Sequence, residues 1–147
     1  TVHYFLEDMQ QAISIPIISL PDKTAERVAR EGCKKVGLLS SQSTREMGLY
    51  KKDLEKLDIE IVSATDEEQK ALNTIILHVM SGNHARDDAH ALTEIMERMV
   101  AEGVDALVLV CTELPLVSHR HSVPKPVFDT IVIAAEEALT CSIEGKC

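Results

Sequence analysis

The chain has 147 residues, 45% apolar and 27% charged, with a formal charge of -9. That is about one domain of chain, and a compact domain of this size buries roughly 68–70% of its unfolded surface without covalent staples. No stretch approaches the roughly 18 apolar residues of a membrane span, and no block of Lys and Arg interleaved with aromatics offers the electrostatic footprint of a nucleic-acid binder.

Residues 3 to 13 (HYFLEDMQQAI) place Tyr4, Phe5, Met9 and Ile13 at mostly helical spacing, and 15 to 20 (IPIISL) read as a short β-branched strand. Pro21-Asp22 open a helix through Arg30 with Gly32 at its C-cap, and 34 to 39 (KKVGLL) form the next buried strand. Ser40 to Ser43 make a polar loop. Thr44 is the expected cap of a helix whose apolar face is Met47, Leu49, Tyr50, Leu54 and Leu57, and 59 to 63 (IEIVS) are a third strand. Asp66 opens a helix to about Met80, stopped by Ser81-Gly82-Asn83, and a second helix from about 87 to 102 ends at Gly103.

Val104 to Cys111 (VDALVLVC) is the most apolar segment, and a continuous Val/Leu run of this kind is what a central parallel strand covered on both faces requires. Residues 126 to 130 (PVFDT) give a last strand and 131 to about 143 a last helix. Strand and helix alternate throughout, which predicts an α/β fold: a parallel sheet flanked by helices, Rossmann- or flavodoxin-like. The complete domain is expected over 21 to 117. Residues 1 to 20 read as a remnant of another domain, and 118 to 147 as a return segment packing on that other domain. The chain begins at Thr1 inside an amphipathic stretch, without a signal segment, so a fragment of a longer protein is expected.

Ligands of open parallel sheets sit beyond the carboxyl ends of the strands, and two loops there qualify by content. Ser40-Ser41-Gln42-Ser43-Thr44 is a run of hydroxyls and one amide whose donors suit a carboxylate; equally, such a loop can serve only to cap a helix. Cys111-Thr112-Glu113-Leu114-Pro115 follows the apolar strand. A thiol there, facing the N–H groups of a following helix, is predicted to be more acidic than a free cysteine, against the alternative of a buried, inert one. The cysteines Cys33, Cys111, Cys141 and Cys147 form no C-x-x-C pair, which argues against a disulfide framework or zinc site and fits a reducing, cytoplasmic setting. His84 and His90 flank Arg86, Asp87 and Asp88, and His119 and His121 share a loop, but neither spacing is i, i+4 on a helix, so no metal site is expected.

The string LVLVCTELPL (107 to 116) is similar to the second-cysteine motif of the aspartate/glutamate racemases, with Val110 where the family has Gly. KKVGLLSSQSTREMGLY (34 to 50) resembles that family's strand, hydroxyl-rich loop and helix, VPKPVFDT (123 to 130) its return strand, and Thr1-Val2-His3 the tail of its first-cysteine motif, Cys-Asn-Thr-x-His. The resemblance covers nearly the whole chain in order. It implies two pseudo-symmetric α/β domains with the site in the cleft between them, this chain holding the second domain and part of the first.

It also implies a reaction without cofactor, in which one cysteine as thiolate removes a Cα proton and another as thiol delivers one to the opposite face. Carried over residue by residue, Cys111 is the acid/base, Thr112 binds a substrate carboxylate, Glu113 orients the neighbourhood, Ser41 and Thr44 match the hydroxyls of the other loop, and Thr1 the Thr of the first motif. The family's first Cys and Asn would stand before Thr1. A family Lys falls at or near Met80, and losing it removes about 1.5–3 kcal/mol of charge-assisted bonding to a second carboxylate; His78 and Arg45 are the candidate substitutes. The resemblance therefore implies racemisation of aspartate or glutamate, with a small-molecule partner; a missing half domain would leave apolar surface exposed on helices 3 to 13 and 131 to 143, so a homo-oligomer is expected. The alternatives are a maleate isomerase, hydantoin racemase or arylmalonate decarboxylase type of enzyme, or a non-catalytic remnant that binds small carboxylates.

Overall fold

The computed structural model describes residues 2–83, 86–118 and 123–144. A 3-10 turn (Val2–Phe5) leads into α1 (Leu6–Ala12), followed by α2 (Leu20–Arg30), β1 (Lys35–Leu39), α3 (Gln42–Glu46), α4 (Lys51–Lys56), β2 (Glu60–Ser63), α5 (Asp66–Met80), α6 (Arg86–Ala101), β3 (Ala106–Leu109), α7 (Leu114–Val117), β4 (Val127–Asp129) and α8 (Thr130–Glu144). All four strands are parallel, in the order β2-β1-β3-β4, so the expected flanked parallel sheet is the fold.

The sheet is buried on both sides, and the alternation of β3 shows how. Leu107 and Leu109 join the cluster of Leu72, Ile75, Leu92, Ile95, Met96 and Met99 from α5 and α6. Ala106, Val108 and Val110 join Ala25 and Val28 of α2, and Tyr50 and Leu54 at and in α4. Period-2 side chains feeding two apolar layers explain why the segment reads as one unbroken hydrophobic run. Gly37 in β1 permits close packing: a Cβ there would stand 2.6 Å from Leu107 Cδ2 and 2.7 Å from Met99 Sδ.

Three local readings differ from the sequence expectation. The IPIISL stretch is no strand, because its backbone is satisfied elsewhere: Gln10 Nε2 donates to Ile15 O at 3.0 Å, Gln10 Oε1 accepts from Ile17 N at 2.8 Å, and His3 Nε2 accepts from Leu20 N at 3.2 Å. The helix after β1 is capped by Ser41, whose Oγ accepts from Thr44 N, and Thr44 is buried inside its turn. That helix also breaks in two at Gly48, whose φ of +59° places it in the left-handed region. After Cys111-Thr112-Glu113, Pro115 enters the first turn of α7, which supplies the helix start the sequence predicts there.

Downstream, β4 pairs with β3, and α8 lies against α2, where Arg27 Nη1 meets Glu136 Oε2. No helix among the described residues is long and apolar enough to cross a membrane.

Candidate active site

β1 and β3 are neighbours, while the chain leaves β1 toward β2 on one side and returns to β3 on the other. This is the reversal of strand order at which open α/β sheets form their ligand crevice. Leu39 pairs with Leu109, and Val110 N donates to Leu39 O at 2.9 Å, so Ser41 and Cys111 each stand two residues past the carboxyl end of one of two neighbouring strands. The two loops singled out by content are thus brought to one edge of the sheet.

Cys111 is half-buried, and its Sγ donates to Glu113 Oε2 at 2.9 Å. Burial pushes the thiol up to about 11; the Glu113 carboxylate adds to this, while the backbone N–H groups of Glu113 and Leu114 work the other way. The expected helix-start amides do therefore face the sulfur, yet the prediction of an acidified thiol is overturned. Removing the thiolate from water and placing it beside an anion outweigh two amide dipoles. The reciprocal effect holds Glu113 below the usual carboxylate range, chiefly through its bond from Cys111, with the exposed Thr112 hydroxyl assisting. Cys111, Thr112 and Glu113 form a resting thiol beside an ionised carboxylate.

Across the gap, Ser41 Oγ lies 3.1 Å from Thr44 Oγ1 and 3.3 Å from Ser43 Oγ while capping α3. The loop is tied from outside by α5: the buried Gln69 donates from Nε2 to Ser40 O at 3.0 Å. Three residues that sequence reading left out of the site surround it. Thr130 Oγ1, at the start of α8, donates to Leu109 O at 3.1 Å and so fixes the strand end that carries Cys111. Burial pushes the Tyr50 phenol to about 12, with a bond to Thr130 opposing and the Cys111 charge adding. Asp129, buried at the end of β4, accepts from Ile131 N at 2.9 Å. The Asp-Thr at the end of PVFDT was the available signal, since strand ends on this edge converge; Tyr50 read only as an apolar helix position.

Neither candidate substitute for the family lysine is uncommitted: Arg45 pairs with Asp66 at 3.0 Å, and His78 Nδ1 meets Asp88 Oδ1 at 2.8 Å. Met80 itself is exposed. Thr1, His84, His119, His121 and Cys147 lie outside the described residues, so the role expected of Thr1 has no geometry here. Among the described residues no three His, Cys, Asp or Glu side chains cluster as a metal site would require. Cys33 is buried in the α2 side of the core, its thiol raised by burial and by Asp105 and Glu31.

The described geometry has clear counterparts. The family model Asp/Glu/Hydantoin racemase matches residues 1–138. The broad specificity amino-acid racemase of Bacillus subtilis (strain 168) is 24% identical over 140 residues, covering 95% of this chain and 60% of its own length. An aspartate racemase homologue from Pyrococcus horikoshii OT3 superposes with a TM-score of 0.82 at 30% identity, over 94% of this chain and 61% of that one. Picrophilus torridus aspartate racemase gives 0.69 at 26% identity, over 87% and 52%. This chain spans between about half and about 60% of these relatives' lengths. A parallel sheet with a strand-end Cys-Thr-Glu, and a match that runs over nearly the whole sequence, lead to one assignment: the chain belongs to the Asp/Glu/hydantoin racemase family.

Proposed function

We propose that the chain supplies one face of a cofactor-independent amino-acid racemase, with Cys111 as its acid/base. The observation that carries this reading is the thiol of Cys111 hydrogen-bonded to the Glu113 carboxylate at the carboxyl end of β3. Inversion at Cα needs a base on one side of the carbon and an acid on the other. When Cys111 is the base, its S–H proton is lost to solvent, and the resulting thiolate takes the Cα proton, leaving a carbanion that a group on the opposite face protonates. In the reverse direction Cys111 as thiol gives its proton to the carbanion, with the Glu113 carboxylate orienting the S–H. Ser41, Thr44 and Thr112 contact the substrate carboxylate from the two loops, and Thr1 belongs to the opposite half.

The opposite acid comes from outside this chain's own sheet. The relatives' greater length supports a two-domain protein, in which residues 1 to 20 and the outward side of 118 to 147 pack on a first domain. Aspartate or glutamate is the substrate the resemblance favours, aspartate first. Met80, together with the engagement of Arg45 and His78 by acids, favours a second reading on substrate alone: amino acids without a second carboxylate.

The test is deuterium wash-in at Cα, followed by proton NMR in D2O on L- and D-aspartate, L- and D-glutamate, and L- and D-alanine. This chain alone is expected to exchange one enantiomer of its substrate, without inversion, and Cys111→Ala to lose that exchange. Exchange that persists in Cys111→Ala contradicts the assignment of the base.

A further inference from the structure

We infer that Gln69, through Asn73, is a positioning residue for the hydroxyl loop, holding residues 40 to 44 in the shape that sets the Ser41 and Thr44 hydroxyls at the carboxyl end of β1. The inference deepens the proposed function and rests on its reading that this loop meets the substrate carboxylate.

The loop leaves the sheet at the strand-order reversal, and its own helix, α3, is only five residues long, too short to hold itself. Its conformation is imposed by α5. Gln69 is buried and uses both amide protons: Nε2 donates to Ser40 O at 3.0 Å and to Asn73 Oδ1 at 3.1 Å. Asn73 Oδ1 also accepts from Gln42 N at 3.3 Å, and Asn73 Nδ2 donates to Gln42 Oε1 at 2.9 Å. Gln42 Nε2 ends the chain on Glu46 Oε1 at 2.7 Å.

Gln69 gives twice with its nitrogen, and Asn73 and Gln42 each give with nitrogen and receive with oxygen. Turning any one over would set donor against donor or acceptor against acceptor, so the whole series has one arrangement. Two backbone groups, the Ser40 carbonyl and the Gln42 amide, are thereby fixed on either side of Ser41. The series is not what anchors α5, since Leu72, Ile75 and Ile76 already bury that helix against the core. Its effect falls on the loop.

Hydrogen-exchange NMR on this chain tests it, comparing the amides of Gln42, Thr44 and Arg45 with those of Leu107 to Leu109 in β3. In Gln69→Met, which keeps volume and loses the donor, loop protection is expected to fall roughly tenfold, the size of one lost hydrogen bond, while β3 is unchanged. In Gln69→Glu the same fall is expected at neutral pH, where a carboxylate faces the Ser40 carbonyl. It should be reversed as acidification protonates the carboxyl and restores a donor, a rescue that a packing role does not give.

Unchanged loop protection in both variants overturns the inference, and so does an equal fall in loop and strand. Titration with L-aspartate separates this claim from the function it rests on. A wild-type loop that shifts with L-aspartate, roughly tenfold more weakly in Gln69→Met, supports both. A loop that depends on Gln69 but never responds to L-aspartate supports the positioning and overturns the aspartate reading.

Discussion

At the scale of single residues, Cys111 is the decisive side chain. A thiol held up to about 11 leaves roughly one molecule in ten thousand as thiolate at pH 7, so the resting chain stores a proton donor, not a ready base. Alkylation by iodoacetamide, followed by mass spectrometry, should therefore be slow at neutral pH and rise steeply toward pH 11. Cys111 should still react ahead of Cys33, because Cys33 is only 6% exposed. Glu113→Gln removes the anion that raises the thiol, so Cys111 in that variant should alkylate several-fold faster at pH 7; an unchanged rate would show that burial alone sets its acidity. Cys111 and Tyr50 also impose a pH dependence on stability. Both hold their protons more tightly folded than unfolded, so between their ordinary values and about 11 and 12 the unfolded state binds fewer protons. Stability is thus complete below about pH 8.5 and falls as pH rises through that window. Urea midpoints measured from pH 8 to 12 should decline, and Tyr50→Phe should flatten the decline above about pH 10.

At the scale of elements, β1 and β3 carry the two loops of the proposed site, and their close fit is where a small change costs most. Gly37→Ala sets a methyl against Leu107 and Met99 and should cost about 1–3 kcal/mol in urea unfolding, by overpacking the sheet against α6. Thr65→Ala deletes the cap at the start of α5, where Thr65 Oγ1 accepts from Glu68 N and Glu68 reaches back to Thr65 N; about 1 kcal/mol should be lost. The alternation of elements was legible in the sequence because both apolar layers write their period into it, most clearly in VDALVLVC. IPIISL was not, since a β-branched run becomes a strand only with a neighbour to pair with, and a glutamine seven residues upstream supplied the bonds instead. The same limit applies to the site. Cys111, Thr112 and Glu113 are contiguous and could be read directly, whereas Tyr50, Gln69 and Thr130 come to that edge from three separate elements, and no local pattern announces their meeting.

At the scale of the molecule, exposed apolar side chains gather at both ends of the chain, with a few more on α5 and α7. Val2, Tyr4, Phe5, Ile15, Leu139 and Ile143 are each more than half exposed, while the central sheet is sealed on both faces. Exposed apolar surface of this extent tends to find a partner, so this chain alone should self-associate at tens of micromolar despite its charge of -9. Light scattering showing a well-behaved monomer would argue that these residues are satisfied without one. A racemase reading gives that surface a use, as the seat of the domain bearing the second acid/base group.

That reading is tested most directly by chiral chromatography of aspartate and glutamate incubated with the protein translated from the whole open reading frame that contains this chain. The expected result is interconversion of enantiomers without pyridoxal phosphate or added metal, abolished by Cys111→Ala with the circular dichroism spectrum unchanged. Enantiomers left unchanged over hours by a protein that binds the dicarboxylate, or interconversion that survives Cys111→Ala, would contradict it.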